Sequence, residues 1–179
     1  MGSIATEEVM RFLEKLGEVH QEKAVLYLIG GGALCLLGNP RRTADIDFSL
    51  TSLAGNKSLV DSMLAVADEL RIELEVITLE EFVPVPEGSS QRHIFVRRFG
   101  GIELFIYDPY AIALSKLARG LETDIQDVLF LLEAEIIDIE KLAYFVEQAL
   151  PVAWEKDVDP DDLKLYLGEV RKLYQNAVG

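Results

Sequence analysis

The sequence has little of several residue types that mark particular protein classes. It contains one cysteine, Cys35, and two histidines, His20 and His93. A single cysteine excludes an internal disulfide and is typical of proteins from a reducing compartment. Cys35 lies among leucines, which favours a small core residue over a nucleophile. Because nothing in the sequence places the two histidines together, we do not expect a histidine-based metal site or catalytic triad.

Basic residues are scarce relative to acidic ones. The chain has 17 Lys and Arg against 31 Asp and Glu, which gives a net charge of −14 at pH 7. Non-specific binding to nucleic acid draws its affinity mainly from Lys and Arg side chains on phosphates. The acidic balance therefore argues against a long nucleic acid as a partner, although it leaves room for a local basic pocket.

Long apolar runs are also missing. The uncharged stretch at residues 24–38 contains three consecutive glycines, and it is shorter than the roughly 20 residues that a membrane-spanning helix needs. No targeting signal stands out near the start of the sequence. We therefore expect a cytoplasmic protein that does not associate with a membrane.

Half of the 179 residues are hydrophobic, which is enough for a domain with a substantial core. Up to residue 108, short strand-like apolar runs alternate with helical patterns. From residue 109 onward every segment has a helical period. The pattern predicts an α+β fold, in which a mixed sheet with flanking helices at residues 1–108 is followed by a helical region at 109–179 that packs on this core.

The individual elements follow from apolar periodicity and turn residues. Gly100-Gly101 lies between two apolar runs and predicts a hairpin. Strands are predicted at residues 25–29, 46–50, 74–77, 93–99 and 102–107. Helices are predicted at residues 9–19, 32–37, 58–70, 110–119, 124–134, 139–149 and 161–175.

The chemistry is concentrated between residues 28 and 50. An apolar run ends in Gly30 and Gly31, and Asp45-Ile46-Asp47 follows within a second apolar run. Residues i and i+2 of a strand point to the same face, so the two carboxylates project side by side. Neighbouring carboxylates repel unless a cation or a shared proton lies between them, and Mg²⁺ takes such ligands together with substrate phosphates.

The glycines add a second part to this pattern. Glycines at a strand-to-helix turn let the backbone approach a phosphate, and the helix N-terminus contributes positive potential. A phosphate-binding turn beside a pair of metal-binding carboxylates indicates chemistry on a nucleoside triphosphate (NTP). The backbone N–H groups of Gly30 and Gly31 are the expected phosphate donors.

Other interpretations of the same residues exist. Asp45-Ile46-Asp47 is also compatible with a solvent-facing strand edge. The glycines partly match the dinucleotide fingerprint G-x-G-x-x-G, but Cys35 stands where the third glycine belongs, and the acidic pair comes too early for a ribose contact. A Walker loop is excluded because no Gly-Lys-Ser/Thr follows. Arg41 either binds phosphate, together with the next arginine, or is exposed in a loop.

These residues resemble the nucleotidyltransferase superfamily, which has the DNA polymerase beta-like fold. Its signature is a pair of small residues after an apolar one, a spacer, and then Asp-apolar-Asp or Asp-apolar-Glu. Gly30-Gly31 and Asp45-Ile46-Asp47 match that signature. The resemblance covers residues 25–132, and part of it is to a branch that includes small bacterial nucleotidyltransferases and the nucleotidyltransferase-like toxins of abortive-infection systems. Further residues similar to this branch are Arg42, Thr43, Asp108-Pro109, Lys116-Leu117, Arg119 and 124–127.

The resemblance implies a third carboxylate on a later strand. Glu103 lies in the predicted strand 102–107, where the superfamily places it, and Asp108 is its rival, although before a proline Asp108 is equally a helix cap. Asp45, Asp47 and Glu103 are then the catalytic residues, and they hold two Mg²⁺ ions. One ion clamps the triphosphate, and the other helps the attacking hydroxyl lose its proton.

The resemblance also implies nucleotide-binding roles for Arg42, Thr43 and Lys116, in addition to Gly30 and Gly31. Lys116 alternatively pairs with a nearby acid, Glu122. The implied reaction moves a nucleoside monophosphate from an NTP such as ATP to a protein or small-molecule acceptor, and pyrophosphate leaves. The alternative is a decayed member that binds nucleotide or a partner protein, with an antitoxin or a second copy of the chain as the possible partner.

Overall fold

The structure, a computed structural model, describes residues 4–179 of the chain. Its helices are α1 Thr6–Val19, α2 Gly30–Leu36, α3 Lys57–Leu70, α4 Pro109–Arg119, α5 Glu122–Glu133, α6 Ile139–Ala149 and α7 Pro160–Val178. Its strands are β1 Ala24–Ile29, β2 Ile46–Ser49, β3 Leu74–Ile77, β4 Ile94–Phe99 and β5 Ile102–Ile106. Every helix and strand predicted from the sequence is present, with shifts of a few residues at the ends.

The chain divides into two compact units. The first contains the described residues up to Thr78 together with His93–Tyr107, and the second contains Leu79–Arg92 and Asp108–Gly179. The helices of the second unit begin at the predicted boundary 108/109, and the segment Leu79–Arg92 groups with them.

An ion pair inside the second unit connects this segment to the first helix of the unit. Arg92 ends the segment, and its Nη2 donates to the fully buried Asp108 carboxylate at 2.7 Å. Asp108 in turn accepts a hydrogen bond from Tyr110 N at 3.0 Å and caps α4. Asp108 therefore has two roles: it caps α4, and it binds Arg92 at the end of the segment Leu79–Arg92.

The five strands form one mixed sheet in the order β3-β2-β1-β5-β4. β1 runs antiparallel to β2 and parallel to β5, β2 runs parallel to β3, and β4 and β5 form the predicted hairpin. The α+β class is confirmed: a mixed sheet with flanking helices is followed by a helical region.

Alternation along the strands gives the sheet two different faces. Leu26, Leu28 and Phe48 are fully buried on one face, and Phe48 lies 5.8 Å from Phe12 of α1, ring centroid to ring centroid. The other face, which we call the open face, contains Val25, Tyr27 and Ile29 of β1 and the residues paired with them. These paired residues are Asp47 and Ser49 on β2 and Glu103 and Phe105 on β5.

No helix among the described residues is both long and apolar enough to cross a membrane. Trp154 is 66% exposed. It lies in the 3₁₀ turn Leu150–Lys156, which carries it to the surface of the helical unit.

Candidate functional site

The turn between β1 and α2 requires glycine at its first position. Gly30 has φ +61°, a conformation that residues with a Cβ rarely adopt. Asp47 is the register partner of Ile29, the residue before this turn. Its carboxylate lies so close to the backbone that a Cβ at position 30 would collide with Oδ2 of Asp47. The glycine thus provides both the backbone angle and the space in which the carboxylate meets the turn.

The next glycine makes a similar approach possible for a hydroxyl and a guanidinium group. A Cβ on Gly31 would lie 2.7 Å from Cβ of Thr43 and 3.4 Å from Nη2 of Arg41. The Thr43 hydroxyl donates to Oδ1 of Asp45 at 3.4 Å. Both aspartates of the sequence motif are therefore connected to the glycine turn, Asp47 directly and Asp45 through Thr43.

The loop that contains Arg41, Arg42 and Thr43 is hydrogen-bonded to residues near the N-terminus. Ile4 and Thr43 exchange backbone hydrogen bonds of 2.6 and 2.9 Å, and Glu8 of α1 accepts from Nη2 of Arg42 at 3.0 Å. Arg42 is thus engaged with α1, whereas the Arg41 guanidinium lies beside Gly31. Arg42 is the arginine predicted from the sequence to bind nucleotide, but the guanidinium that lies at the turn is that of Arg41.

Glu8 itself is electrostatically adapted to this role. Its pKa is lowered from the ordinary value of 4.5, first by the hydrogen bond from the Ala5 backbone N–H and then by its own backbone N–H. The positive charge of Arg42 acts in the same direction. The Ala5 N to Glu8 Oε2 distance is 3.0 Å, so this carboxylate also completes the first turn of α1.

The structure does not bring Glu103 to the two aspartates. Glu103 pairs with Val25, at the far end of β1 from Ile29, the partner of Asp47. Four residues along a strand correspond to roughly 13 Å. The Glu103 carboxylate instead forms an ion pair with Arg98 of β4. Within residues 4–179, no three His, Cys, Asp or Glu side chains form a group that could hold a metal ion.

The rival third carboxylate, Asp108, has a different set of partners. Its side chain is fully buried and accepts hydrogen bonds from Arg92 and from the Tyr110 backbone N–H. These contacts match the helix-cap role that the sequence left open. All of these residues belong to the second unit.

Lys116 is buried in the second unit and has two acidic partners. Its Nζ lies 2.7 Å from Oδ2 of Asp127 and 3.4 Å from Oδ1 of Asp124. Asp124 also accepts a 2.6 Å hydrogen bond from Arg119. Lys116 therefore pairs with these two residues and not with Glu122, the acid considered from the sequence. Its assignment to nucleotide binding stays a prediction.

Aromatic residues occupy the β5 positions level with the carboxylates. Continuing the β1–β5 register by one pair places Tyr107 beside Ile29, and Phe105 pairs with Tyr27. These rings belong to a group that we call the open-face aromatic cluster, which was not predicted from the sequence, although aromatic residues alternate along the hairpin. Neighbouring ring centroids in it lie 4.5–5.8 Å apart. Its members are Tyr27, His93, Phe95, Phe105 and Tyr107.

Comparisons with known proteins identify the family of this chain. No curated protein matches the sequence. A solved structure similar to this chain is an antigenic nucleotidyltransferase-like protein from Paracoccidioides brasiliensis. It has 17% sequence identity and a TM-score of 0.48, over 88% of this chain and 96% of that chain.

A family model gives the stronger result. The model is described as nucleotidyltransferase of unknown function (DUF6036), and it matches residues 6–174. The match spans both compact units, and it confirms the relation to nucleotidyltransferases that the sequence motif indicated. The chain therefore belongs to this family of nucleotidyltransferases of unknown function.

Proposed function

We propose that the chain binds an NTP at the glycine turn and transfers its nucleoside monophosphate to a protein or small-molecule acceptor. The observation that supports this most directly is the Asp47 carboxylate against the Cβ-less backbone of Gly30. Asp45, Thr43 and the Arg41 guanidinium lie around the next glycine. Membership of a nucleotidyltransferase family is consistent with this chemistry.

The residues at the turn fit one Mg²⁺ ion. Mg²⁺ usually binds one or two carboxylates together with waters and substrate phosphates, and Asp45 and Asp47 supply two carboxylates beside the turn. A bound ion would neutralise phosphate charge and lower the pKa of the attacking hydroxyl. Because Glu103 lies at the other end of β1, we propose a single ion in place of the two that the superfamily resemblance implied.

The remaining groups at the turn would bind and orient the triphosphate. The first N–H groups of a helix have no partner within it, and those of α2 begin at Gly30. Asp47 and Thr43 occupy the places of the missing side chains, so the carboxylate and the phosphate donors would lie side by side. The Arg41 guanidinium would add charge-assisted hydrogen bonds to the phosphates, and Thr43 would orient Asp45 through its hydroxyl.

A labelling experiment tests the proposed transfer. Purified protein is incubated with each α-³²P-labelled NTP and Mg²⁺, alone and with cell lysate, and we expect an acceptor or the protein itself to become labelled. The double variant Asp45→Asn, Asp47→Asn should lose the label. The matched control, Asp61→Asn with Asp68→Asn, makes the same charge change at two exposed positions of α3 and should label like wild type. Equal labelling by both double variants would remove the enzymatic proposal.

A second candidate function is favoured by the position of Glu103. A family member without a third carboxylate at the aspartates could bind nucleotide without turnover and act through a partner. Calorimetry distinguishes the two proposals, because nucleotide binding that ignores Mg²⁺ favours the binding module. Under the one-ion proposal, Glu103→Gln should leave the Mg²⁺ concentration for half-maximal nucleotide binding unchanged, whereas Asp45→Asn should raise it.

A further inference from the structure

The open face of the sheet contains a pocket that the carboxylate site does not include. Its volume is about 660 Å³, within the range of small-molecule sites in proteins. None of the residues that line it belongs to the glycine turn. The polar and aromatic lining residues are Lys23, Tyr27, Thr51, Asn56, Arg98 and Glu103.

Strand register fixes the position of this pocket relative to the carboxylates. Tyr27 pairs with Ser49, and Ile29 pairs with Asp47, so Tyr27 lies one step along the same face, roughly 7 Å from the level of Asp47. The pocket continues from Tyr27 toward Ala24, the first residue of β1. A molecule whose phosphates lie at the glycine turn would therefore extend over the Tyr27 ring and into the pocket.

The chemistry of the walls favours a flat, hydrogen-bonding ligand. The Tyr27 ring is supported by neighbouring rings, with the centroid of His93 at 4.5 Å and that of Phe105 at 5.8 Å. Thr51 and Asn56 carry a hydroxyl and an amide, which both donate and accept hydrogen bonds. The Asn56 amide donates one hydrogen bond to the Ser52 carbonyl oxygen at 2.7 Å, and its oxygen and second N–H remain for a ligand, as does the exposed Thr51 hydroxyl. A nucleobase has an aromatic face for the ring and a polar edge for these groups.

The charge of the pocket also differs from that of the chain. Lys23 and Arg98 are basic and Glu103 is the one acidic residue among the lining residues, whereas the whole chain has a net charge of −14. Arg98 forms an ion pair with Glu103 across the hairpin, which leaves the Lys23 ammonium as the excess positive charge. The pocket is therefore suited to a ligand that enters together with phosphate groups.

We infer that this pocket is the nucleoside subsite of the proposed NTP site. Tyr27 stacks on the base, and Asn56 and Thr51 contact its hydrogen-bonding edge. This inference rests on the proposed function, because it takes the phosphates to lie at the glycine turn. It makes Tyr27 the residue that binds the base and Asn56, with Thr51, the residue that determines which NTP is bound.

Calorimetry with two kinds of probe tests the subsite. Each of the four common NTPs and inorganic tripolyphosphate are titrated into the full chain in the presence of Mg²⁺. Wild type should bind an NTP more tightly than tripolyphosphate. Stacking of a base on an aromatic ring contributes about 1–3 kcal/mol, so Tyr27→Leu should weaken NTP binding by about 5- to 150-fold and leave tripolyphosphate binding unchanged. Asn56→Ala should change the order of preference among the NTPs.

Two control variants keep this test independent of folding. Tyr27→Phe retains the ring and should bind NTP within about threefold of wild type, a difference below 1 kcal/mol. Phe95→Leu removes a ring that is 55% exposed and does not line the pocket, so it should leave NTP binding unchanged. Thermal melts followed by circular dichroism show whether each variant is folded.

The possible failures are distinguishable. If wild type binds NTP and tripolyphosphate equally well, or if Tyr27→Leu weakens both equally, the nucleoside subsite is wrong and the phosphate site stands. If Tyr27→Leu leaves NTP binding intact, the base does not stack on Tyr27 and the inference is overturned. If wild type binds neither probe, the proposed function fails together with the subsite.

Discussion

Replacing Gly30 with alanine is the most direct test of the glycine turn. An L-residue in the left-handed region costs about 1–3 kcal/mol, and Gly30 has φ +61°. The new Cβ would also collide with Oδ2 of Asp47, so either the carboxylate or the turn must move. We therefore expect Gly30→Ala to lower stability by at least the backbone cost and to displace Asp47 from its position beside the turn.

Gly38→Ala is a matched control for the backbone effect alone. Gly38 follows the same helix, has φ +99°, and has no atom within 4 Å of the place where its Cβ would be. Gly38→Ala should therefore lower the free energy of unfolding by about 1–3 kcal/mol without disturbing the aspartates. The two variants separate the loss of stability from the loss of the site.

The assay measures both quantities for both variants. Urea denaturation gives the change in the free energy of unfolding, and calorimetry gives the affinity for NTP with Mg²⁺. We expect both variants to unfold at lower urea concentration and Gly30→Ala alone to lose nucleotide affinity. If Gly30→Ala binds NTP as tightly as wild type, or if Gly38→Ala loses the same affinity, the reasoning about the turn is refuted.

Three further predictions concern charged groups. Glu8→Gln should lower the melting temperature at pH 7. The difference from wild type should be smaller below pH 4.5, because the lowered pKa of Glu8 stabilises the fold only while the carboxylate is ionised. A pH-independent difference would contradict this prediction. Lys116→Met should lower the free energy of unfolding by about 3–5 kcal/mol, since it leaves buried acids uncompensated. Adding Asp127→Leu should recover part of that loss in urea denaturation, and no recovery would count against the buried pair. Arg41→Gln should weaken NTP binding about 10- to 100-fold, as expected for lost charge-assisted hydrogen bonds, and Arg42→Gln should weaken it less; calorimetry that shows the reverse order would return the phosphate role to Arg42.

Much of the fold was predictable because it depends on local pattern. Apolar periodicity identified the strands and helices, and Gly100-Gly101 identified the hairpin. The glycine turn was predictable as well, because glycine is the residue that most readily adopts the positive φ found at position 30. These features are encoded over a few neighbouring residues.

The position of Glu103 was not predictable for a physical reason. Alternation along a strand determines which face a side chain occupies, but the level at which two strands pair is set by register. Glu103 is on the same face as Asp47, as the alternation predicts. Its partner on β1, however, lies four residues from the β1 partner of Asp47. The superfamily resemblance indicates which strand carries the third carboxylate, but it does not indicate at which level of β1 that residue pairs.

Long-range partners account for other differences. Arg41 and Arg42 are neighbours in the sequence, and the second pairs with Glu8, which lies more than thirty positions away. The segment Leu79–Arg92 likewise has a partner beyond the hairpin, since Arg92 pairs with Asp108. Such pairings cannot be predicted from the residues that are adjacent in the sequence.

The lone thiol has a practical use. Cys35 is buried, and its Sγ donates to the carbonyl oxygen of Arg41 at 3.3 Å, directly under the loop that carries the guanidinium. A chromogenic thiol reagent would react only when that loop lifts away, so the reaction rate measures how often the loop opens. With a single reactive sulfur in the chain, the protein needs no engineered label to show whether bound nucleotide keeps this loop closed.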